Sequence, residues 1–222
     1  MSEAAVMSRP VAGASDAAVE TGVVVQRDGR NRRAAETRRK IIEAAKLMIA
    51  ETSEAPTVVG VARRADVSVR SVFQHFKDVQ SLFVTVADSI RADLVIPETP
   101  SASRPLGARI DTFVSDLATI FDKVVPLKVA SGQFATHPAL IERSLNARRQ
   151  LRDATFEVFA PEFASLAEAA RDELADAIGA ALSLDTWTVL RRRDGLSLER
   201  AIAVWRLTLT ALLSQALGAQ KA

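Results

Sequence analysis

The sequence predicts an all-α protein, and two observations support that fold class. Its 222 residues include only 9 glycines and 8 prolines and no tyrosine, whereas alanine, leucine and arginine are abundant. This composition favours helices over strands. Apolar residues also recur at three- and four-residue steps along most of the chain, as on the buried face of a helix. With 48% hydrophobic residues, the chain can bury a sizeable core.

Composition also narrows the chemistry that the chain can perform. It has no cysteine and only 2 histidines, which excludes disulfides and thiolate metal sites. It contains no glycine-rich phosphate loop, zinc-ligand spacing or nucleophile motif. We therefore predict no enzymatic activity, no cofactor and no metal site.

Basic residues are concentrated towards the N-terminus. Residues 27–77 contain 12 Lys or Arg and 6 Asp or Glu, a local charge of +6; the whole chain carries +2, so the rest sums to −4. Local positive charge attracts phosphate backbones, although a solvated basic helix face is the alternative. Residues 1–34 lack a helical period and predict a disordered basic tail. Its Arg32 and Arg33 either follow a phosphate backbone or only solubilise the chain.

The segment from Thr57 to Phe76 predicts two short helices joined by a tight turn. Thr57 and Ser68 are candidate N-caps, because their side-chain oxygens can accept hydrogen bonds from the free N–H groups of a first turn. On the second helix we expect a buried side made of Val69, Val72, Phe73 and Phe76. The outward residues are then Arg70, Ser71, Gln74 and His75. Such a helix suits a DNA major groove, and a plain helical hairpin is the alternative.

Further helices are predicted on both sides of this pair. One spans Ala35 to Glu51 and another Asp78 to Val95. A stretch rich in Pro and Ser follows, so we predict one domain over residues 35–97 and a second, helical domain over residues 98–222. The helices predicted in the second domain cover residues 106–125 (ended by Pro126), 139–159, 163–192 and 197–217.

The last two predicted helices carry an apolar stripe wide enough to pack on two surfaces. Two such helices from each of two subunits can form a four-helix interface. We expect a homodimer interface made of Leu184, Trp187, Ile202, Trp205, Leu209, Leu212 and Leu213. The alternative is that these residues complete the core of a single chain.

The sequence also bears on location. No run of about 18 uninterrupted apolar residues is present, and the N-terminus lacks the pattern of a secretory signal. The most apolar segment, residues 201–219, contains Arg206 and several hydroxyl or amide side chains. We predict a cytoplasmic protein that does not contact a membrane.

Three runs carry a resemblance to a known family: Arg39 to Ala45, Thr57 to Ser68, and Val72 to Phe76 followed by Leu82 and Phe83. Together they resemble the DNA-binding region of the tetracycline-repressor (TetR) family of bacterial transcriptional regulators. The resemblance implies an N-terminal three-helix domain that contains a helix-turn-helix, and a C-terminal helical domain for ligand binding and dimerisation.

The same resemblance implies a function. The chain would be a homodimeric repressor that binds a palindromic double-stranded DNA operator. It would leave that operator when a small apolar or amphipathic effector binds. Together with the basic tail, the positions that would contact DNA are Arg32, Arg33, Arg38, Thr57, Ser68, Val69, Arg70, Ser71, Phe73, Gln74, His75 and Lys77. Among them Arg70 is best suited to bind guanine through two hydrogen bonds.

The sequence departs from the family pattern at three places. Asp66 stands in the turn where the family prefers Gly, and Phe73 replaces a Tyr whose hydroxyl can bind phosphate. Val79 and Gln80 stand where the family has Lys-Glu, although Lys77 lies close by. We therefore expect a weaker grip on phosphates by these helices, with more of the affinity supplied by the N-terminal arginines.

The effector site is a separate prediction. The candidate wall residues are Phe113, Leu117, Phe121, Phe134 and Phe156, with Arg152 to hold a polar end. Ordinary core packing is the alternative for each of them. For the whole protein, the alternative function is an all-α interaction or adaptor module whose basic arm binds acidic partners.

Overall fold

The computed structural model describes residues 17–218 of the chain, with side chains from residue 30 onwards. In that range every regular element is helical, which confirms the predicted all-α class. The α-helices are α1 (Ala17–Thr52), α2 (Val58–Arg64), α3 (Val69–His75), α4 (Val79–Ala92), α5 (Leu106–Ala130), α6 (Pro138–Val158), α7 (Ala160–Ala164), α8 (Glu168–Ala181), α9 (Leu184–Thr188) and α10 (Leu198–Gly218). A 3-10 turn (Ser131–Phe134) follows α5, and a π-helical turn (Val189–Arg193) follows α9.

Residues 1–40 and residues 41–222 form two separate units. In the first unit, the described residues belong to α1, which is exposed there except for half-buried Thr37. The Thr37 hydroxyl donates to the Arg33 carbonyl at 2.9 Å, and Arg39 pairs with Glu36 at 2.7 Å. The predicted disordered tail is therefore wrong for residues 17–34, which are helical. Residues 1–16 lie outside the described residues.

Within the second unit, a first apolar core holds the C-terminal part of α1 against α2, α3 and α4. Its most buried members are Ile41, Ile49, Val61, Val72, Leu82, Phe83 and Val86. Leu127, Ala130 and Phe134 also belong to this core, and the rings of Phe83 and Phe134 lie 4.6 Å apart. The end of α5 thus completes a core that lies mostly before the predicted linker. The domains 35–97 and 98–222 stay a prediction.

A second core lies between α5 and the helices that follow it. At its centre the indole rings of Trp187 and Trp205 pack against each other, tilted by 47° and with centroids 4.4 Å apart. α10 packs against both α5 and α8, and it buries Ala201, Trp205, Leu209 and Leu213. By length and composition α10 could also cross a membrane. However, its buried stripe and the ion pair of Arg206 with Asp111 at 2.5 Å are those of a core helix.

Two predicted helix boundaries are wrong, for physical reasons. α5 continues through Pro126 to Ala130. Val125 and Leu127 on either side of the proline are buried in the two cores, which favours the continued helix although one backbone hydrogen bond is lost. The single helix predicted over residues 163–192 is instead divided into α7, α8, α9 and the π-helical turn. Ser183 caps α9 by accepting from the N–H of Thr186 at 3.1 Å.

Candidate nucleic-acid interface

α2 begins where the sequence predicts, at the Thr57 cap. The Thr57 hydroxyl oxygen accepts from the N–H of Gly60 at 3.1 Å. A Cβ atom on Gly60 would lie 2.7 Å from Cε of Met48 in α1. The glycine therefore leaves room for the end of the Met48 side chain between α1 and α2.

The turn between α2 and α3 depends on Asp66. Its φ angle of 54° lies in the left-handed region, which Asp tolerates better than most residues. The chain reverses there because the N–H of Val67 bonds to the Ala62 carbonyl at 3.0 Å. The predicted turn at Asp66 is confirmed.

α3 is short and is held at both its start and its buried side. Ser68 caps it by accepting from the N–H of Ser71 at 3.0 Å, as predicted. Val72 and Phe76 are buried in the first core. Val69 and Phe73 are 40% and 52% exposed, so their predicted burial is wrong. Val69 and Phe73 lie about 60° and 100° around the helix from buried Val72, and a helix of this length has only one narrow buried face.

One face of α3 is consequently free for a partner. Val69, Arg70, Phe73 and Gln74 are exposed at spacings that place them together on a helix surface. Ser71 and His75 are half-buried at its edges, and Lys77 is exposed just beyond it. The face combines one cation, one amide and two apolar side chains, a mixture that matches the donors, acceptors and methyl groups on base edges.

The residues around this face add positive charge. From Thr57 to Lys77 the chain contains Arg63, Arg64, Arg70 and Lys77 but only one acid, Asp66. Arg64 is held by Glu51 of α1, with two nitrogen–oxygen distances of 2.6 Å. Arg63 is exposed in the last turn of α2 and was not among the predicted contacts.

The two cap hydroxyls can each serve a second partner. Thr57 and Ser68 use their oxygens to accept backbone N–H groups, and each hydroxyl keeps a hydrogen to donate. Just beyond α3, Asp78 caps α4 by accepting from the N–H of Ser81 at 2.7 Å, and this hydrogen bond holds the pKa of Asp78 below its ordinary value. The Asp78 carboxylate is therefore already bonded to the protein backbone.

The three predicted N-terminal contacts lie in the unit of residues 1–40. Arg32, Arg33 and Arg38 are exposed on α1. Arg32 and Arg33 are therefore carried by a helix and not by the flexible arm that the sequence predicts, whereas Arg38 lies on a helix as predicted.

Comparison with known proteins finds one fold that this arrangement shares. No family model matches the sequence, and none of the curated proteins compared with it matches. A solved structure does match: a protein of Mesorhizobium loti MAFF303099, provisionally described as a TetR-family transcriptional regulator. The match covers 82% of this chain and 97% of that chain, with a TM-score of 0.55 and 14% sequence identity. The chain has the TetR fold. That fold consists of an N-terminal helix-turn-helix region followed by a helical C-terminal region.

In this TetR fold, the predicted effector residues do not surround one site. Phe134 lies in the first core against Phe83, apart from the other candidate wall residues. The other aromatic residues fill the second core by packing on one another: Phe113 on Phe159, Phe121 on Trp205, and Phe156 on Phe163. Leu117 is half-buried against the same core.

Arg152 is the predicted polar anchor of that site. Its guanidinium pairs with Asp172 and Asp176, at 2.5 Å each, and lies over the ring of Phe156 at 5.2 Å. The positive charge is therefore already neutralised by α8 at the protein surface.

The predicted dimer residues divide into two groups. Trp187, Trp205, Leu209 and Leu213 are fully buried within one chain of the TetR fold, so their assignment to a subunit interface is wrong. Leu184, Ile202 and Leu212 are half-buried. The exposed side of α10 instead presents Ala203, Leu207 and Ala211, and Leu207 is 73% exposed.

Proposed function

We propose that the chain is a transcriptional regulator that binds double-stranded DNA through α3. The observation that carries the proposal is the free face of Val69, Arg70, Phe73 and Gln74 on a capped, firmly anchored helix. The likeness to a protein described as a TetR-family regulator supports the same function. No catalytic role is assigned to any residue.

Each side chain of the face has a chemical role in this proposal. Arg70 binds guanine through two hydrogen bonds, and Gln74 can pair in the same way with adenine. Val69 and Phe73 contact thymine methyl groups or sugars. The remaining proposed contacts hold phosphates: Thr57, Ser68, Ser71, His75 and Lys77, and, in the unit of residues 1–40, Arg32, Arg33 and Arg38.

We propose further that the regulator is a cytoplasmic homodimer acting on a palindromic operator, and that a small-molecule effector releases it. A two-fold dimer presents two α3 helices, which a palindrome matches. The exposed apolar side of α10, centred on Leu207, is the surface that we assign to the second subunit. Half-buried Ile202 and Leu212 lie about 140° around the helix from Leu207 and pack against the second core.

The DNA-binding proposal is tested by selecting bound sequences from random duplexes and measuring their affinity by fluorescence anisotropy. Arg70→Ala should make the free energy of binding to the selected site less favourable by about 1–3 kcal/mol, and it should relax the preference for one base pair. Arg192→Ala removes an exposed arginine of the π-helical turn and is the matched control. Unchanged sequence preference in Arg70→Ala would reject α3 as the base-contacting helix, and a wild type that selects no sequence would favour the adaptor function.

The dimer is tested separately by sedimentation. Leu207→Glu places a charge at the centre of the assigned surface and should shift the protein from dimer to monomer. Val189→Glu changes an equally apolar residue that is exposed elsewhere and should leave the dimer intact. A wild-type monomer at micromolar concentration would contradict the assignment.

A further inference from the structure

A cleft lies between α1, α4 and α5, apart from the aromatic residues of the second core. Its volume is about 260 Å³. The walls are mainly apolar and are formed by Leu47 and Ala50 of α1, Ile90 and Leu94 of α4, and Pro126 of α5. Leu47 is half-exposed in its wall. Such a surface disfavours charged groups and favours a flat or compact apolar part of a ligand.

The charges at the cleft are not equivalent. Lys46 is mostly buried and donates to Glu43 at 3.0 Å and to Asp93. The hydrogen bond to Asp93 is the main reason why the pKa of Lys46 lies above its ordinary value. Both acids are thus occupied by a cation that ties α1 to the end of α4.

Lys123 is the exception among these charged groups. It lies at the cleft on α5, is exposed, and has no hydrogen-bond or ion-pair partner within the described part of the chain. The four charged groups at the cleft sum to zero, and among them only the Lys123 ammonium lacks a direct partner in the described part of the chain. A ligand that pairs with this ammonium carries a negative group beside an apolar body.

We propose that this cleft binds a small carboxylate with an aromatic or alicyclic body. The body lies between Leu47, Ile90 and Pro126, and the carboxylate pairs with the ammonium group of Lys123. The volume is slightly below the range of about 300–1,000 Å³ that is usual for drug-sized ligands. The ligand class is correspondingly limited to one or two rings.

The position of the cleft connects it to α3. Its α1 and α4 walls belong to the first core, which also buries Val72 and Phe76 of α3. α4 begins at Val79, only a few residues after α3 ends at His75. A ligand that separates α4 from α5 consequently displaces α3. The factor by which the ligand changes DNA affinity equals the ratio of its own affinities for the two arrangements of α4, with and without the displacement. This last step rests on the proposed function, whereas binding in the cleft does not.

The binding is tested by isothermal titration calorimetry with 2-naphthoate and, as a neutral probe of the same shape, 2-naphthamide. The wild type should bind 2-naphthoate saturably and more tightly than 2-naphthamide. Lys123→Gln should lower the affinity for 2-naphthoate about threefold to fivefold, which is the effect expected for a partly exposed ion pair. It should leave the affinity for 2-naphthamide unchanged. Lys128→Gln, on the same helix but paired with Asp185, is the control. Equal affinity of the wild type for both probes overturns the carboxylate assignment.

A second pair of variants locates the probe. Ala50→Trp places a large side chain in the cleft and should abolish saturable binding. Ala92→Trp adds the same group at an exposed alanine outside the cleft and should bind as the wild type does. Binding that persists unchanged in Ala50→Trp, or no saturable binding to the wild type, overturns the site.

DNA measurements separate this inference from the function on which its last step rests. Adding 2-naphthoate should weaken DNA binding by the wild type but not by Ala50→Trp. A protein that binds 2-naphthoate in the cleft but binds no DNA would disprove the regulator function and leave the site standing. A protein that binds DNA but not the probe would disprove the site alone.

Discussion

Arg109 and Glu162 form a buried ion pair that ties α5 to α7. The guanidinium binds both carboxylate oxygens, at 2.6 and 2.8 Å, and the two side chains are 4% and 10% exposed. Arg109 also donates to the carbonyls of Arg104 and Val158, at 2.9 and 2.7 Å. One arginine therefore joins the end of the predicted linker, α5, the end of α6, and α7. Its burial is tolerated because its charge and its donors are well satisfied.

Loss of this carboxylate should be costly. Glu162→Ala leaves the Arg109 charge buried without its partner, and we expect the free energy of unfolding to fall by ~3 kcal/mol. Asp172→Ala also removes an arginine partner, but at an exposed site, where about 1 kcal/mol or less is expected. Urea denaturation of both variants compares them. Equal losses of unfolding free energy in the two variants would show that burial does not determine how much an ion pair contributes to stability.

The same pair predicts a dependence on pH. The hydrogen bonds from Arg109 hold the pKa of Glu162 below its ordinary value in the folded protein. Its contribution to stability is therefore complete above the unfolded pKa of about 4.3 and is lost as the pH falls through the lower, folded value.

Glu162→Gln supplies the measurement, because a protonated Glu162 and a glutamine are both neutral. The wild type should exceed this variant in unfolding free energy at pH 7, and the difference should shrink as the solution is made more acidic than about pH 4. Denaturant titrations across this pH range measure it. A difference that stays constant on acidification would contradict the prediction.

Trp187 and Trp205 allow a matched comparison in the second core. Both are fully buried, but only Trp187 has a hydrogen-bond partner: its indole N–H donates to Asp122 at 3.3 Å. The indole N–H of Trp205 has none among the described residues. Trp187→Phe should therefore destabilise the protein more than Trp205→Phe, by about 1 kcal/mol. Thermal unfolding followed by circular dichroism measures both, and the reverse order would be evidence for an unrecognised acceptor at Trp205.

The left-handed turn at Asp66 predicts an order of stability. Asp66→Gly should fold at least as stably as the wild type, because glycine adopts this backbone conformation without steric cost. Asp66→Ala should be less stable than Asp66→Gly by about 1 kcal/mol, because its Cβ is unfavourable at positive φ. Denaturant titration of the two variants tests the order, and an alanine variant as stable as the glycine variant would be inconsistent with the turn.

Features that depend on neighbouring residues could be predicted from the sequence alone. The caps at Thr57 and Ser68, the turn at Asp66 and the all-α class follow from which side chains can bond to an adjacent backbone and which dihedral angles each tolerates. These effects act over a few residues and need no knowledge of distant parts of the chain. The cap of α6 by His137, which accepts from Ala139, belongs to the same group.

Only the tertiary structure decided which apolar residues are covered, and by what. Periodicity placed Phe73 and Trp205 on apolar stripes, but the pattern does not show which other element packs on a stripe. α1, α2 and α4 leave Phe73 exposed, whereas α5 and α9 enclose Trp205. Lys123 next to an open cleft and Glu162 beside Arg109 likewise depend on packing between residues far apart in the chain. Local chemistry thus determined the caps and the turn, and long-range burial determined where α5 ends and which surfaces are left for partners.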